Sequence, residues 1–240
     1  KSSFEEKKFS NHAIIKESKK MRKLLKNKKI DLIFIDQYSI NLDWEKQVGK
    51  DCKIVLISDY LNRKTYCDFL INYHLKENNN YNKFLLKKNC KILSDPQYTI
   101  IKKNSFKKKS FKKVQEIFIY MGGADSKSFT EKLVKFLKKK VFLKYNFTVL
   151  TSKKKLKNLK KICIKNDNFK FLTQKFKDLY SIASKKSIIF SNMGTSMYEF
   201  SQLNSKIFLF PQSPIHKKIA KDLKQFNLFK IVDIKNLKNI

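Results

Sequence analysis

Three short polar turns in the second half of the sequence carry residue types that suit the binding of an anion. Each turn follows an apolar run and precedes a helical pattern. Glycine lets a ligand approach the backbone closely, and the N–H groups at the start of a helix attract negative charge. The residues that we select in these turns are Gly122, Gly123, Gly194, Thr195, Ser196 and His216. Three such turns at one edge of a parallel sheet would suit a ligand with two phosphates and a ribose.

The first turn matches neither of the two common phosphate-binding motifs. No Gly-Lys-Ser/Thr follows Gly122 and Gly123, and the G-x-G-x-x-G spacing is absent. Ser128 and Glu131 have the S-x-x-E spacing of a capping box, which predicts that a helix begins just beyond the turn. A sharp corner without any ligand would explain the two glycines equally well.

Glu199 lies in the first turn of the helix predicted after Gly194. Its carboxylate would accept hydrogen bonds from ribose hydroxyls, or it would stabilise the positive N-terminus of its own helix. The sequence leaves both roles open.

Polar residues also follow an apolar run in the first half of the sequence. Asp36 and Tyr38 come directly after "DLIFI", and Asp59 and His74 follow two further runs. We expect Asp36 and Tyr38 to point into a ligand-binding cleft, although Tyr38 would also fit a core position with its hydroxyl bonded. No Ser-His-Asp or Cys-His arrangement can be placed.

The elements that must position these residues alternate between strands and helices. Apolar runs predict strands over residues 31–36, 53–59, 67–72, 116–121, 146–150, 169–172, 187–190, 206–210 and 229–232. Helical periodicity predicts helices over residues 11–26, 42–48, 81–88, 128–139, 153–165, 176–184, 196–202 and 216–226. Continuous apolar strands that alternate with single helices indicate parallel sheets covered on both faces.

A lysine-rich connection at residues 102–113 has no apolar period and separates two such series. We therefore predict an α/β protein with two Rossmann-like parallel-sheet domains that face a cleft. The first domain takes residues 1–108 and the second takes residues 109–240. The first residue is Lys, and no strand precedes the first helix, so we expect that the beginning of the first domain is missing.

The formal net charge of +35 invites a nucleic-acid interpretation, which we reject. Arg22 and Arg63 are the only arginines, and lysine lacks the planar fork that recognises phosphates and base edges. The lysines are spread along the whole chain, which favours solvated surface residues over one functional patch. A weak attraction to an anionic membrane or an anionic substrate stays open.

The remaining composition points to a cytoplasmic protein. The four cysteines form no C-x-x-C pair and no metal-type spacing with the histidines, so we expect free thiols and no metal. No apolar stretch is long enough for stable insertion into a membrane, and no secretory signal is recognisable. The sequence does not indicate the oligomeric state.

Five segments resemble, in order and spacing, one family of sugar-nucleotide enzymes. The segments are "DLIFIDQYSINLDWE", "YCDFLIN", "DPQYTII", "MGGADSKSFT" and "SNMGTSMYE". They resemble the UDP-2,4-diacetamido-2,4,6-trideoxy-β-L-altropyranose hydrolases of pseudaminic-acid biosynthesis, which share the two-domain fold of the MurG-type glycosyltransferases. The resemblance implies that water attacks the anomeric carbon and that UDP leaves with inversion. It implies no metal and no other cofactor.

The resemblance also implies roles for individual residues. Tyr38 would lie near the sugar as the catalytic residue, and Asp36 beside it would bind the substrate. Uridine and pyrophosphate would bind the second domain. The substrate-binding positions that carry over are Gly122, Gly123, Asp125, Gly194, Thr195, Ser196 and Glu199, and His216 is a further substrate-binding candidate because it lies in the third turn.

The sequence departs from the family pattern at several positions. The Gly-x-Gly-His loop that supplies the histidine base is absent, so we expect this fragment to lack activity. Gln37, Ser58 and Lys102 stand where His, Asp and Arg are usual, and Ile215-His216 replaces an Asn-Gln pair. A related UDP-sugar glycosyltransferase, or a non-catalytic UDP-sugar-binding module of a fusion protein, therefore stays open beside the hydrolase.

Overall fold

The computed structural model describes residues 10–37, 39–58, 61, 63–73, 81–101, 116–123, 125, 127–173 and 179–239. The chain divides into two compact units, Lys1–Thr99 and Ile100–Ile240. The boundary predicted between residues 108 and 109 lies outside the described residues.

The first unit contains a four-stranded parallel sheet with the order β1-β2-β3-β4. Its strands are β1 (Leu32–Ile35), β2 (Lys53–Ile57), β3 (Phe69–Asn72) and β4 (Lys91–Ser94). Its helices are α1 (Asn11–Lys28) and α2 (Leu42–Val48). Ser10 and Asn41 begin the two helices, since the side chain of each accepts a hydrogen bond from a backbone N–H of the first turn. The apolar faces of α1 and α2 pack with the sheet in one hydrophobic core, and this core includes the buried Trp44 of α2.

The helix predicted over residues 81–88 is wrong. A single 3₁₀ turn, Tyr81–Lys83, replaces it, and the chain then runs alongside Thr65. Thr65 donates its N–H to the carbonyl of Phe84, and its own carbonyl accepts from the N–H of Leu86. These two bonds engage the Phe84 carbonyl and the Leu86 N–H, which a helix would need for its own backbone hydrogen bonds. Strand β4 was not predicted because its four residues include only two apolar ones.

The second unit contains a six-stranded parallel sheet with the order β10-β9-β8-β5-β6-β7. The strands are β5 (Glu116–Tyr120), β6 (Asn146–Leu150), β7 (Phe169–Leu172), β8 (Ile188–Asn192), β9 (Lys206–Phe210) and β10 (Lys230–Ile231). The helices are α3 (Phe129–Leu137), α4 (Lys153–Ile162), α5 (Leu179–Ala183), α6 (Ser196–Ser201) and α7 (Pro214–Leu223). The predicted α/β class and the predicted strands of this unit are confirmed, and the helices end a few residues earlier than their patterns indicated.

Strand β5 shows why the apolar runs are continuous. Ile117 and Ile119 belong to the same buried cluster as Leu133 of α3. Phe118, from the same strand, packs edge to face against Phe200 of α6, with 6.1 Å between the ring centroids. Alternate residues of a strand point to opposite faces, so both faces of this sheet are covered by helices.

Candidate functional site

The three predicted turns lie side by side at one edge of the second sheet. Strands β5, β8 and β9 are consecutive neighbours and all parallel, with Tyr120 opposite Ser191 and Asn192 opposite Phe210. The turns that follow these strands therefore meet at the carboxyl edge, where ligands of open parallel sheets bind. This topology places the glycine pair, the Gly194 turn and the His216 turn at one site.

Gly122 and Gly194 lie on either side of one amide side chain. Gly122 has a φ of 84°, and a Cβ atom built on it would lie 2.5 Å from Nδ2 of Asn192. A Cβ on Gly194 would lie 3.5 Å from the same nitrogen, which is ordinary contact. The Asn192 side chain therefore fills the gap between the two turns. Its Oδ1 is buried without a hydrogen-bond partner among the described residues.

Gln212 joins the turn after β9 to the turn after β5. Its Nε2 donates a hydrogen bond to the carbonyl of Met121 over 3.2 Å. The backbone N–H of Gln212 donates to Nδ1 of His216 over 3.1 Å, and Ser213 Oγ accepts from the N–H of His216. Since Nδ1 of His216 accepts, its ring helps to fix the backbone of the β9 turn.

The predicted capping box at the start of α3 is wrong. Ser128 has a φ of 53° and its side chain makes no capping hydrogen bond. The carboxylate of Asp125 caps the helix instead, since it accepts from the N–H groups of Phe129 at 2.8 Å and Thr130 at 3.3 Å. Two N–H groups that were expected to attract an anion thus bond a side chain of the same loop.

Lys155 holds Asp125 in this position. Its Nζ lies 2.9 Å from Oδ2 of Asp125 and also donates to the Asp125 carbonyl. Asp125 is only 6 % exposed, so its charge is neutralised within the protein rather than by water. Lys155 lies in the first turn of α4, which follows β6. This ion pair therefore connects the turn after β5 to the start of α4.

Glu199 lies in the first turn of α6, as predicted, and is half-buried. Burial raises the pKa of the Glu199 carboxyl above its ordinary value. Burial and, to a smaller extent, the Glu199 charge raise the pKa of Tyr120 to about 12. Tyr120 is the last residue of β5 and only 8 % exposed, and its hydroxyl lies close enough to Glu199 to sense the charge of that carboxylate. Thr195 makes no capping bond with its side chain.

Four residues of this site were not selected from the sequence, namely Tyr120, Lys155, Asn192 and Gln212. Tyr120 and Asn192 each occupy the last position of a buried strand, directly before the Met that precedes the glycine turn. That shared position was the signal that could have identified them. Lys155 and Gln212 act across the sheet, and no local pattern indicates such contacts.

The first unit gives less information about its predicted site residues. Asp36 directly follows β1 and is exposed, while Gln37 Nε2 donates to Ser39 Oγ over 2.6 Å. Tyr38, Asp59, His74 and Lys102 lie outside the described residues.

A surface pocket adjoins the turn after β1. Gln37 and Ser39 line it together with Glu17 of α1 and Trp44 of α2. Trp44 Nε1 donates to a carboxylate oxygen of Glu17, and burial raises the pKa of Glu17. This pocket places the polar side chains of Glu17, Gln37 and Ser39 near the end of β1.

Two searches of the described residues give negative findings. Within the described ranges, no three His, Cys, Asp or Glu side chains are grouped so as to hold a metal ion. None of the helices seen in the described part of the chain combines the length and apolar character needed to cross a bilayer.

No protein-family model matches the chain. The UDP-2,4-diacetamido-2,4,6-trideoxy-β-L-altropyranose hydrolase of Campylobacter jejuni is 25 % identical over 150 residues, which cover 61 % of this chain and 54 % of the relative. An uncharacterized protein of Methanocaldococcus jannaschii is 24 % identical over 215 residues, which cover 83 % of this chain and 44 % of that protein. The chain thus spans about half the length of the curated relatives that it matches.

Solved structures define the class of fold. The crystal structure of Acinetobacter baumannii MurG matches with a TM-score of 0.59 at 13 % identity, over 95 % of this chain and 68 % of that chain. The pneumococcal O-GlcNAc transferase GtfA, in complex with UDP and GlcNAc, matches with a TM-score of 0.57 at 13 % identity, over 86 % of this chain and 53 % of that chain. The protein therefore has the α/β fold of these glycosyltransferases, and its sequence is similar to that of a UDP-sugar hydrolase.

Proposed function

We propose that the chain is part of a cytoplasmic enzyme that releases UDP from UDP-2,4-diacetamido-2,4,6-trideoxy-β-L-altrose during pseudaminic-acid biosynthesis. The observation that carries the proposal is the meeting of three polar turns at the carboxyl edge of β5, β8 and β9. The similarity to the Campylobacter jejuni hydrolase supports the same substrate. Since the chain spans about half of that relative, the activity is proposed for the complete protein.

In this proposal the second unit binds UDP. The pyrophosphate lies against Gly122, Gly123 and the turn from Gly194 to Ser196, where backbone N–H groups near the start of a helix attract an anion. Glu199 accepts hydrogen bonds from the ribose hydroxyls, and His216 lines the third turn. Asp125 supports the loop by capping α3, because its oxygens already bond Phe129 and Thr130.

The reaction is a substitution at the anomeric carbon. Water attacks that carbon from the face opposite UDP, the bond between the carbon and the phosphate oxygen breaks, and UDP leaves with the electron pair. The attacking water releases its proton to the solvent, and the free sugar has inverted configuration. Tyr38 and Asp36 lie on the sugar side and orient the sugar for this attack.

The activity test uses the complete protein and measures UDP release from the altrose derivative without an acceptor. We expect steady release, and a Tyr38→Phe variant that loses about 100-fold in kcat, because the sugar is then less well oriented for attack. Binding of the sugar nucleotide without turnover would instead indicate a non-catalytic binding module.

A related UDP-sugar glycosyltransferase is the second candidate. It is favoured by the fold shared with MurG and GtfA. Release of UDP that depends strictly on an added acceptor would establish the transferase and exclude the hydrolase.

UDP binding can be measured on this chain by calorimetry. Glu199→Gln is expected to weaken UDP binding about tenfold, because hydrogen bonds to a charged group contribute about 1.5–3 kcal/mol. Glu131→Gln is the matched control, since Glu131 lies in the first turn of α3. Equal losses in both variants would contradict the assignment of Glu199 to the ribose.

A further inference from the structure

Two turns meet at the amino edge of the second sheet. Residues 138–145 connect α3 to β6, and residues 163–168 connect α4 to β7. Asn166 Nδ2 donates to the carbonyl of Lys138 over 3.5 Å, and Asn168 Nδ2 donates to the carbonyl of Tyr145 over 2.9 Å. These bonds fix the two turns as one surface, which we name the amino-edge surface. It lies at the end of the sheet opposite the candidate UDP site.

Aliphatic side chains project from the amino-edge surface into solvent. Ile164 is 80 % exposed, Val141 is 67 % exposed and Leu143 is 49 % exposed. Ile164 and Val141 are the two most exposed large hydrophobic side chains in the described part of the chain. Their neighbours Phe142 and Ile162 pack against the core and attach the two turns to it, so the exposed side chains are not needed for this packing. Adjacent exposed aliphatic groups that the fold does not need indicate an interaction surface.

The charge of these segments is mainly positive. Exposed lysines lie in the two turns and in the last turn of α4, and Asp167 is the one acidic residue in the same segments. The lysines are Lys138, Lys139, Lys140, Lys144, Lys160, Lys161 and Lys165. The amino-edge surface therefore combines a hydrophobic centre with a strongly positive rim.

We propose that the amino-edge surface docks on an anionic lipid bilayer. Val141, Leu143 and Ile164 would enter the boundary between headgroups and acyl chains, while the lysine ammonium groups face the anionic headgroups. This inference does not depend on the proposed hydrolase activity. It leaves the carboxyl edge of the sheet, with its glycine turns, free for a ligand.

The composition of the surface favours lipid over nucleic acid. Nucleic-acid surfaces use arginine for phosphates and base edges, and exposed aromatic rings for base stacking. The amino-edge segments contain no arginine, and their aromatic residues Phe142 and Tyr145 are partly buried against the core. Exposed Ile, Val and Leu have no partner on a phosphodiester backbone, whereas acyl chains accept them.

The test is co-sedimentation of the full chain with lipid vesicles at about 0.15 M NaCl, where charges beyond about 8 Å are screened. Vesicles of phosphatidylcholine alone are compared with vesicles that contain about 30 % phosphatidylglycerol, which carry a negative surface potential. We expect binding to the anionic vesicles alone. No binding to them, or equal binding to both kinds of vesicle, would overturn the proposal.

Two variants separate the aliphatic and electrostatic contributions. The triple variant Val141→Ser, Leu143→Ser and Ile164→Ser is expected to lower partitioning at least tenfold, because insertion depends on buried apolar area. Lys139→Gln with Lys144→Gln is expected to lower it roughly fivefold for each lysine removed. All five side chains are exposed, so folding should be unchanged by circular dichroism.

A matched control removes similar groups from α1. Ile15 and Leu24 are each 48 % exposed, but they lie nine residues apart on α1 and so point in opposite directions. Ile15→Ser, Leu24→Ser, Lys19→Gln and Lys23→Gln should therefore change partitioning less than twofold. Equal losses in this control, or an unchanged triple serine variant, would contradict docking through the amino-edge surface. If the parent chain binds duplex RNA but not anionic vesicles, and the triple serine variant loses the RNA binding, the surface is assigned to nucleic acid instead.

Discussion

The side-chain amide of Gln212 donates a hydrogen bond to the carbonyl of Met121, 3.2 Å away, and so connects two strands that are not neighbours in the sheet. Strand β8 lies between β9, which precedes Gln212, and β5, which precedes Met121. The bond therefore passes over the carboxyl end of β8 and fixes the outer two of the three turns relative to each other. This bond therefore connects two of the three turns against which we propose that UDP binds.

Replacing Gln212 should weaken UDP binding more than it weakens the fold. For Gln212→Ala we expect a loss of about 1 kcal/mol in the free energy of unfolding, which is typical of one hydrogen bond. UDP affinity should fall about tenfold, since the turns lose their relative position. Urea unfolding and calorimetry measure the two effects. Gln97→Ala, at an exposed site of the first unit, is the control and should change neither.

Gly122 should be the least replaceable residue of the three turns. Its positive φ disfavours any side chain, and a Cβ would meet Nδ2 of Asn192 at 2.5 Å. Gly122→Ala is expected to cost about 1–3 kcal/mol of stability, as measured by urea unfolding. The additional change Asn192→Ala removes the clash but not the strain, so it should restore part of that loss.

Gly194→Ala is the comparison for Gly122, because its Cβ would make only ordinary contact with Asn192. We expect its free energy of unfolding to change by less than about 1 kcal/mol. UDP binding should weaken less than in Gly122→Ala, because the added methyl group contacts the Asn192 side chain without displacing it. A Gly194 variant as unstable as the Gly122 variant would contradict the difference between the contacts of the two Cβ positions.

Local patterns predicted the sheet of the second unit well and the details of its site only in part. Buried strands such as β5 are continuous apolar runs, so their positions and the meeting of their turns followed from the sequence. The S-x-x-E spacing at Ser128 and Glu131 is equally local, but Asp125 caps the helix instead, through the N–H groups of Phe129 and Thr130. The choice between the two caps depends on Lys155, which lies 30 residues away and neutralises Asp125. Local sequence spacing does not show that Lys155 and Asp125 are in contact in the folded protein.

The ion pair between Lys155 and Asp125 should be essential for the fold of the glycine turn. Lys155→Met leaves a carboxylate that is 6 % exposed without its cation, which is expected to cost about 3 kcal/mol. The neighbouring Lys154 is exposed, so Lys154→Met should have little effect on urea unfolding. Combining Lys155→Met with Asp125→Asn should lose less than the sum of the two single changes, since no buried charge is then left unpaired. Strict additivity would show that the two groups do not interact.

The raised pKa of Glu199 predicts a pH dependence of stability with a definite sign. The folded state holds the proton of Glu199 more tightly than the unfolded chain, whose ordinary value is 4.5. Below 4.5 both states are protonated and burial of Glu199 carries no charge penalty. As the pH rises above that value, the unfolded state ionises first, so the free energy of unfolding falls. The fall ends once the pH has passed the raised folded pKa.

Glu199→Gln isolates this effect, because glutamine does not titrate. The free energy of unfolding of the parent protein minus that of the variant should decrease between about pH 4 and pH 7, since carboxyl groups titrate in this range. Urea unfolding at several pH values measures it, and the subtraction removes the opposite trend of Asp51 and Glu116, whose pKa values are lowered. UDP should make this decrease with pH smaller if its ribose hydroxyls donate to the ionised Glu199 carboxylate, because such a ligand favours the charged form. If the free energy of unfolding of the parent minus that of the variant increases with pH, Glu199 is stabilised as an anion by its own helix. That result would contradict the assignment of Glu199 to the ribose.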